Sequence, residues 1–105
     1  MNDPQIEEIA KKIVERFHPR RIVMFGSRAR GQDTEGSDLD LMVEMETEEA
    51  PPRRAMAIDA LFGLRDWAMD VFVYTPREVA EQRKYRNSLI RQIESEGKVL
   101  YEQPG

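Results

Sequence analysis

FGSRARGQDTEGSDLDLMV, residues 25–43, joins the ends of two apolar runs through a polar stretch with three glycines. The first run, RRIVMF from Arg20 to Phe25, is short and bounded by turn signals, which predicts a buried strand. The second, DLDLMVEM, alternates. Leu39, Leu41, Val43 and Met45 take one face of a strand, and Asp38, Asp40, Met42 and Glu44 take the other. Two carboxylates therefore project from the same side at the start of a strand, about 6.7 Å apart along the chain. Gly26-Ser27 closes the preceding strand, and a short helix is expected to start there and fade by Gly31.

Working outward, Ile6, Ile9, Ala10, Ile13, Val14 and Phe17 recur at helical spacing after Pro4, predicting a first helix over 4–17. His18-Pro19 ends it, because proline disfavours the helical region in the residue before it. ETEEAPP is a connector, and Arg53 to Asp66 reads as a second long helix. WAMDVFVYT is a third strand, in which Asp70, Phe72 and Tyr74 oppose Met69, Val71 and Val73. Thr75-Pro76-Arg77-Glu78 carries an N-cap, a proline at the first helical position and the Glu of a capping box. That helix is expected to run to about Tyr85. Asn87 is expected to cap another helix, with Leu89, Ile90 and Ile93 inward until Gly97, and KVLY is a candidate last strand. The order predicts an α+β fold: a small sheet with helices packed on one face and a polar, open opposite face. Trp67, Phe62 and the methionines are expected in the core, with an interface anchor as the alternative for Trp67, and His18 is expected at a helix end; Phe72 and Tyr74 share the face of Asp70 and are candidates to contact a base.

The 105 residues fit a single domain, 1–105. Cysteine is absent, so disulfides and thiolate metal sites are excluded. No apolar stretch approaches the ~18 residues of a membrane span, and the polar start MNDPQIEEIA has no signal-peptide core. A cytoplasmic location without membrane contact is expected. The net charge of −4 is unevenly spread. Eight acidic residues lie between Asp33 and Glu49 with no Lys or Arg among them, whereas Arg77, Arg83, Lys84, Arg86 and Arg91 make a basic segment. A bound cation would relieve the acidic run.

If the second and third strands pair, about 4.8 Å apart, Asp70 joins Asp38 and Asp40 on one patch of sheet. Three anions so placed repel unless protons or cations intervene. Oxygen ligands without histidine or thiol select Mg²⁺, with Mn²⁺ as an alternative. Two such ions are the usual arrangement for in-line phosphoryl or nucleotidyl displacement. Gly26-Ser27 sits where a polyphosphate can be held: glycine allows close approach, N–H groups at a helix start favour anions, and Ser27 adds a hydroxyl. Arg28 and Arg30 add positive charge in the same turn.

GSRARGQDTEGSDLDLMV resembles the G-S-x10-D-x-D signature of the DNA polymerase β-like nucleotidyltransferases, and the whole chain is similar to their smallest members, the minimal nucleotidyltransferases (MNT). The likeness extends over nearly all of the sequence, from the leading helix to EGKVLY. It implies a palm-like sheet in which Asp38 and Asp40 bind both Mg²⁺ ions and Asp70 completes the triad as the base for the acceptor hydroxyl. It implies that Gly26 and Ser27 hold the triphosphate of ATP, with Arg28 beside them. It further implies an MntA-type antitoxin that adds AMP to a tyrosine of a HEPN-domain ribonuclease toxin. Two rivals stand beside that reading. One is an antitoxin that only binds its toxin. The other transfers nucleotides to RNA or a small molecule, and the basic segment keeps nucleic acid open as an acceptor. Oligomeric state, nucleotide preference and acceptor are not specified by the sequence.

Overall fold

A computed structural model describes residues 1–104. Helix α1 (Asp3–Phe17) is followed by strands β1 (Arg21–Phe25) and β2 (Leu39–Glu44), helix α2 (Pro51–Asp59) and strand β3 (Met69–Tyr74). Helices α3 (Pro76–Gln82) and α4 (Leu89–Glu96) and strand β4 (Lys98–Glu102) complete the chain. The strands form one mixed sheet in the order β3-β2-β1-β4. β1 pairs antiparallel with both β2 and β4, and β2 pairs parallel with β3. This is the expected α+β fold with a small mixed sheet.

Local chemistry sets the helix ends. Asn2 accepts from the Gln5 N–H while the Gln5 side chain accepts from the Asn2 N–H, a reciprocal cap at the start of α1. His18 turns into the left-handed region (φ 50°) and donates its N–H to the Val14 carbonyl, so a backbone bond and Pro19 together stop the helix. Thr75 and Glu78 cap α3 in the same reciprocal way, as the sequence predicts.

Three boundaries differ from expectation. α2 begins on Pro51 and ends at Asp59, well short of Asp66, because the chain turns through 60–62 and Gly63 takes φ 53°. Leu64 beyond it is fully exposed, so the apolar run there does not mark a continuing helix face. α3 stops at Gln82 and continues only as turns. Ser88, not Asn87, caps α4 by accepting from the Arg91 N–H, one residue later than predicted.

The sheet buries both faces, for different reasons. On one, Ile22, Met24, Leu39, Leu41, Val43 and Val73 pack under α1 and α2 through Ile6, Ile9, Ile13 and Ile58. On the other, Val23, Phe25 and Met42 lie under Val79 of α3 and Ile90 and Ile93 of α4. Helices therefore cover part of the second face as well, and the expectation that this face is open holds only at one end of the strands. Met42, which the alternation places among polar residues, is wholly buried. Glu44, two residues on, is neutralised at the far end of the sheet by Arg21 at 2.6 Å. It is thus separated from the acids at the strand start. Gly97 lets β4 begin against β1: a Cβ there would lie 2.5 Å from the Ile93 carbonyl oxygen and the Val23 side chain.

Two ion-pair groups tie the helices to this frame. Arg54, largely buried on α2, donates to the Glu49 carbonyl (2.7 Å), the Val73 carbonyl (3.3 Å) and the Glu78 carboxylate (2.7 Å). Glu94 on α4 receives Arg21 at 2.6 Å and Arg83 at 2.5 Å. Hydrogen bonds from Arg54 hold Glu78 below the usual carboxylate range, and those from Arg83 and then Arg21 do the same for Glu94. Because the folded state binds these protons less readily, their stabilisation is present above the ordinary glutamate value of 4.5 and is lost as pH falls through the depressed values. Urea midpoints measured between about pH 5 and pH 3 should therefore decline, and Glu94→Gln should flatten that decline.

Candidate functional site

The open end of the second face is where β2 and β3 begin and β1 ends. The parallel register sets Asp40 directly opposite Asp70, and the antiparallel register sets Phe25 opposite Asp40 on the other side. Phe25, Asp40 and Asp70 thus form one row across three strands, with neighbouring strands about 4.8 Å apart. Asp38 precedes β2 and lies two residues from Asp40; it and Asp70 are exposed, while Asp40 is half-buried. The Leu39 N–H bonds to the Ala68 carbonyl at 2.9 Å, locking the β2 start to the segment entering β3.

Burial raises the pKa of the Asp40 carboxyl above the ordinary 3.8, and the charges of Asp70 and then Asp38 push it further. Arg30 and Arg28 oppose the shift. The sign is informative. A carboxyl whose folded pKa is raised favours the fold only while protonated, so its ionisation costs stability as pH rises. The cluster is an unfavourable concentration of negative charge, of the kind a cation or a proton relieves.

Among the described residues no group of three His, Cys, Asp or Glu is gathered closely enough to cage a metal ion. The expected convergence of three acids is met for Asp40 and Asp70 by register, with Asp38 alongside, but not as a complete protein-only cage. The donor set still fits a hard divalent ion. Mg²⁺ is ordinarily held by one or two carboxylates together with water and substrate phosphates.

The Gly26 turn adjoins this row. Gly26 has φ 77°, and a Cβ on it would overlap the Asp40 carboxylate. Glycine is required twice over, for backbone shape and for the acid that lies against it. Hydrogen bonds from Ala29 and Arg30 to the Gly26 carbonyl and from Gln32 to the Ser27 carbonyl close the turn. It is a set of turns rather than the short helix expected. The N–H groups of Ser27 and Arg28 make no backbone–backbone hydrogen bond among the described residues.

The two arginines of the turn differ. Arg28 is 7% exposed and donates to the Ser37 carbonyl (2.6 Å) and Asp33 (3.3 Å), so its guanidinium pins the 33–37 loop against the turn. Arg30 is exposed, at 3.2 Å from Glu96 of α4. The sequence carries no local signal for that pair, because the two residues are 66 positions apart. Trp67 is half-buried, edge-on to Phe62 (5.6 Å) with Arg65 over its ring (4.8 Å), and so belongs partly to the core. Tyr74 is half-buried against the second face, whereas Phe72 stays exposed beside Asp70.

A mixed sheet with an acid pair at one strand start, a third acid on the neighbouring strand and a glycine-serine turn beside them is the arrangement of a nucleotidyl-transferring fold. The sequence profile described as the nucleotidyltransferase domain matches residues 6–103, and the chain belongs to that family. A candidate protein adenylyltransferase of Methanocaldococcus jannaschii is 39% identical over 51 residues, 45% of this chain. The match spans about half (51%) of that relative's length. A candidate nucleotidyltransferase of Sulfolobus solfataricus has a similar fold, with TM-score 0.65 and 18% identity over 95% of this chain and 79% of that one. A toxin–antitoxin crystal structure with AMP-PNP superposes with TM-score 0.58 and 22% identity, covering 92% of this chain and 73% of that one. A mutant of the MntA–HpeT toxin–antitoxin pair, with two aspartates changed to glutamate, gives TM-score 0.55 and 16% identity over 98% and 75%. The structural likenesses concern the fold.

The contact between Gly26 and Asp40 is directly testable. Gly26→Ala should lower the unfolding free energy in urea by about 1–3 kcal/mol, through the left-handed backbone and the displaced carboxylate. Gly36→Ala, whose new methyl meets open space, should change it by no more than about 0.5 kcal/mol.

Proposed function

We propose that this protein transfers AMP from ATP to a hydroxyl group of a partner protein, with a tyrosine of a HEPN-domain toxin as the acceptor and neutralisation of that toxin as the outcome. The observation that carries the proposal is the pairing of Asp40 with Asp70 beside the Gly26-Ser27 turn. The name of the archaeal relative and the toxin–antitoxin complexes among the structural neighbours support the choice of acceptor class.

In this reading the N–H groups of Ser27 and Arg28 and the Ser27 hydroxyl hold the β- and γ-phosphates. Arg28 fixes the shape of the turn from beneath and adds charge, and Arg30 adds a second charge from the open side. Asp38, Asp40 and Asp70 would hold Mg²⁺, which when bound neutralises phosphate charge and activates the acceptor oxygen. With the triphosphate tail over the turn on β1 and the α-phosphate over Asp40, in-line geometry brings the acceptor from the β3 side. Asp70, on that edge strand, takes the acceptor proton. The acceptor oxygen bonds to the α-phosphorus, the α–β phosphoanhydride bond breaks, and pyrophosphate leaves toward Ser27. Most of the rate enhancement comes from positioning and charge stabilisation. No helix among the described residues is long and apolar enough to cross a membrane. We place the reaction in the cytoplasm and treat residues 1–105 as one catalytic domain that needs its partner to present the acceptor.

Incubating the protein with a HEPN-domain partner, Mg²⁺ and each nucleoside triphosphate, then weighing both intact chains, tests the proposal. An AMP-sized increment on the partner is expected with ATP. Asp40→Asn should slow it by at least about 100-fold, since the metal's charge stabilisation is worth several kcal/mol. A tight complex without any increment would establish the binding-only antitoxin, and an increment on added RNA would move the acceptor to nucleic acid.

A further inference from the structure

Directly behind the acidic row, one level deeper into the sheet, Val23, Met42 and Phe72 occupy the same face of β1, β2 and β3. The first two are buried, at 2% and 0% exposure, under α3 and α4. Phe72, on the edge strand beyond that cover, remains 36% exposed. Its ring meets that of Phe25 at 5.6 Å and 60°, reaching across β2. Phe25, at the end of the acidic row, and Phe72, one level deeper on β3, form an aromatic ledge beside Asp40 and Asp70, and Phe72 supplies its exposed surface. A large apolar ring left open beside the most acidic part of the sheet is not explained by core packing alone, for the core beneath it is closed by Met42 and Phe25.

Position narrows what the ring can meet. In the reading proposed above, on which this inference rests, the row from Ser27 through Asp40 to Asp70 is the axis of in-line displacement. Leaving group and acceptor occupy its two ends. The nucleoside must depart from the α-phosphate sideways, and on the inner side of the row the exposed surface is Phe72, about 6.7 Å along β3 from Asp70. We infer that Phe72 is the stacking platform for the nucleobase, which it meets through the π-face rather than the hydrogen-bonding edge. Stacking tolerates every base, but favours the larger purines. Phe25, tilted at 60° to it across β2, sets the angle of the ring.

The decisive probes are ATP and inorganic tripolyphosphate, each titrated calorimetrically with Mg²⁺ into the intact protein and its variants. Tripolyphosphate reports the phosphate cradle without a base. Phe72→Leu keeps apolar cover over Met42 and Phe25 but lacks a π-face, and it should weaken ATP binding about 5- to 100-fold while leaving tripolyphosphate unchanged. Phe72→Trp should retain or tighten ATP binding. Urea denaturation of both variants separates a folding defect from a lost contact, since a defect would weaken both ligands together. ATP affinity unmoved by Phe72→Leu, with tripolyphosphate still bound, would overturn the stacking role and leave the nucleotide site intact. A Phe72→Leu effect confined to the KM for the acceptor protein would likewise overturn it. Failure of both ligands to bind the unaltered protein would overturn the inference together with the reading beneath it.

Discussion

The structure depends most on the parallel register between β2 and β3, which puts Asp40 opposite Asp70. A slip by one residue would turn Leu39, Leu41 and Val43 away from α1 and α2 and drive the acids into the core. The apolar side of β2 therefore pays for an arrangement on its other side that the chain would not adopt on electrostatic grounds. Burial, Asp70 and Asp38 all raise the Asp40 carboxyl, so the fold carries a local electrostatic cost at the start of β2. Gly26 tightens the constraint, because the Asp40 carboxylate occupies the space a side chain there would fill.

Several charges elsewhere on the sheet and helices are paired across elements. Glu44 meets Arg21, Glu78 meets Arg54, and Glu94 meets Arg21 and Arg83, each within 2.7 Å. Arg28 spends its guanidinium on the 33–37 loop. Asp38, Asp40 and Asp70 have no ion-pair partner among the described residues, in the acidic run and strand where the sequence pointed to a bound cation.

Much of this was legible in residue order. The alternation from Asp38 to Met45 assigned both faces of β2 correctly, and the Thr75-to-Glu78 capping box fixed the start of α3. The family signature from Gly26 to Asp40 was visible because it is contiguous. What stayed hidden was non-local. Nothing near Met42 shows that α4 will cover it, so the second face was expected to be open. The charge of Arg28 was visible but not its burial, which depends on where the 33–37 loop returns. α2 was extended past Asp59 because Leu61, Phe62 and Leu64 keep a helix-like apolar pattern, while the left-handed Gly63 ends that possibility.

The central claim is that Asp40 and Asp70 repel across the β2–β3 register in the absence of a cation. A double-mutant cycle of Asp40→Asn and Asp70→Asn, read as urea unfolding free energy at neutral pH without divalent ions, measures this most directly. Each single change should stabilise the fold, and the double variant should gain less than the sum by about 0.5 kcal/mol or more, because the same repulsion is removed only once. Strictly additive gains, or a loss of stability in both single variants, would contradict it.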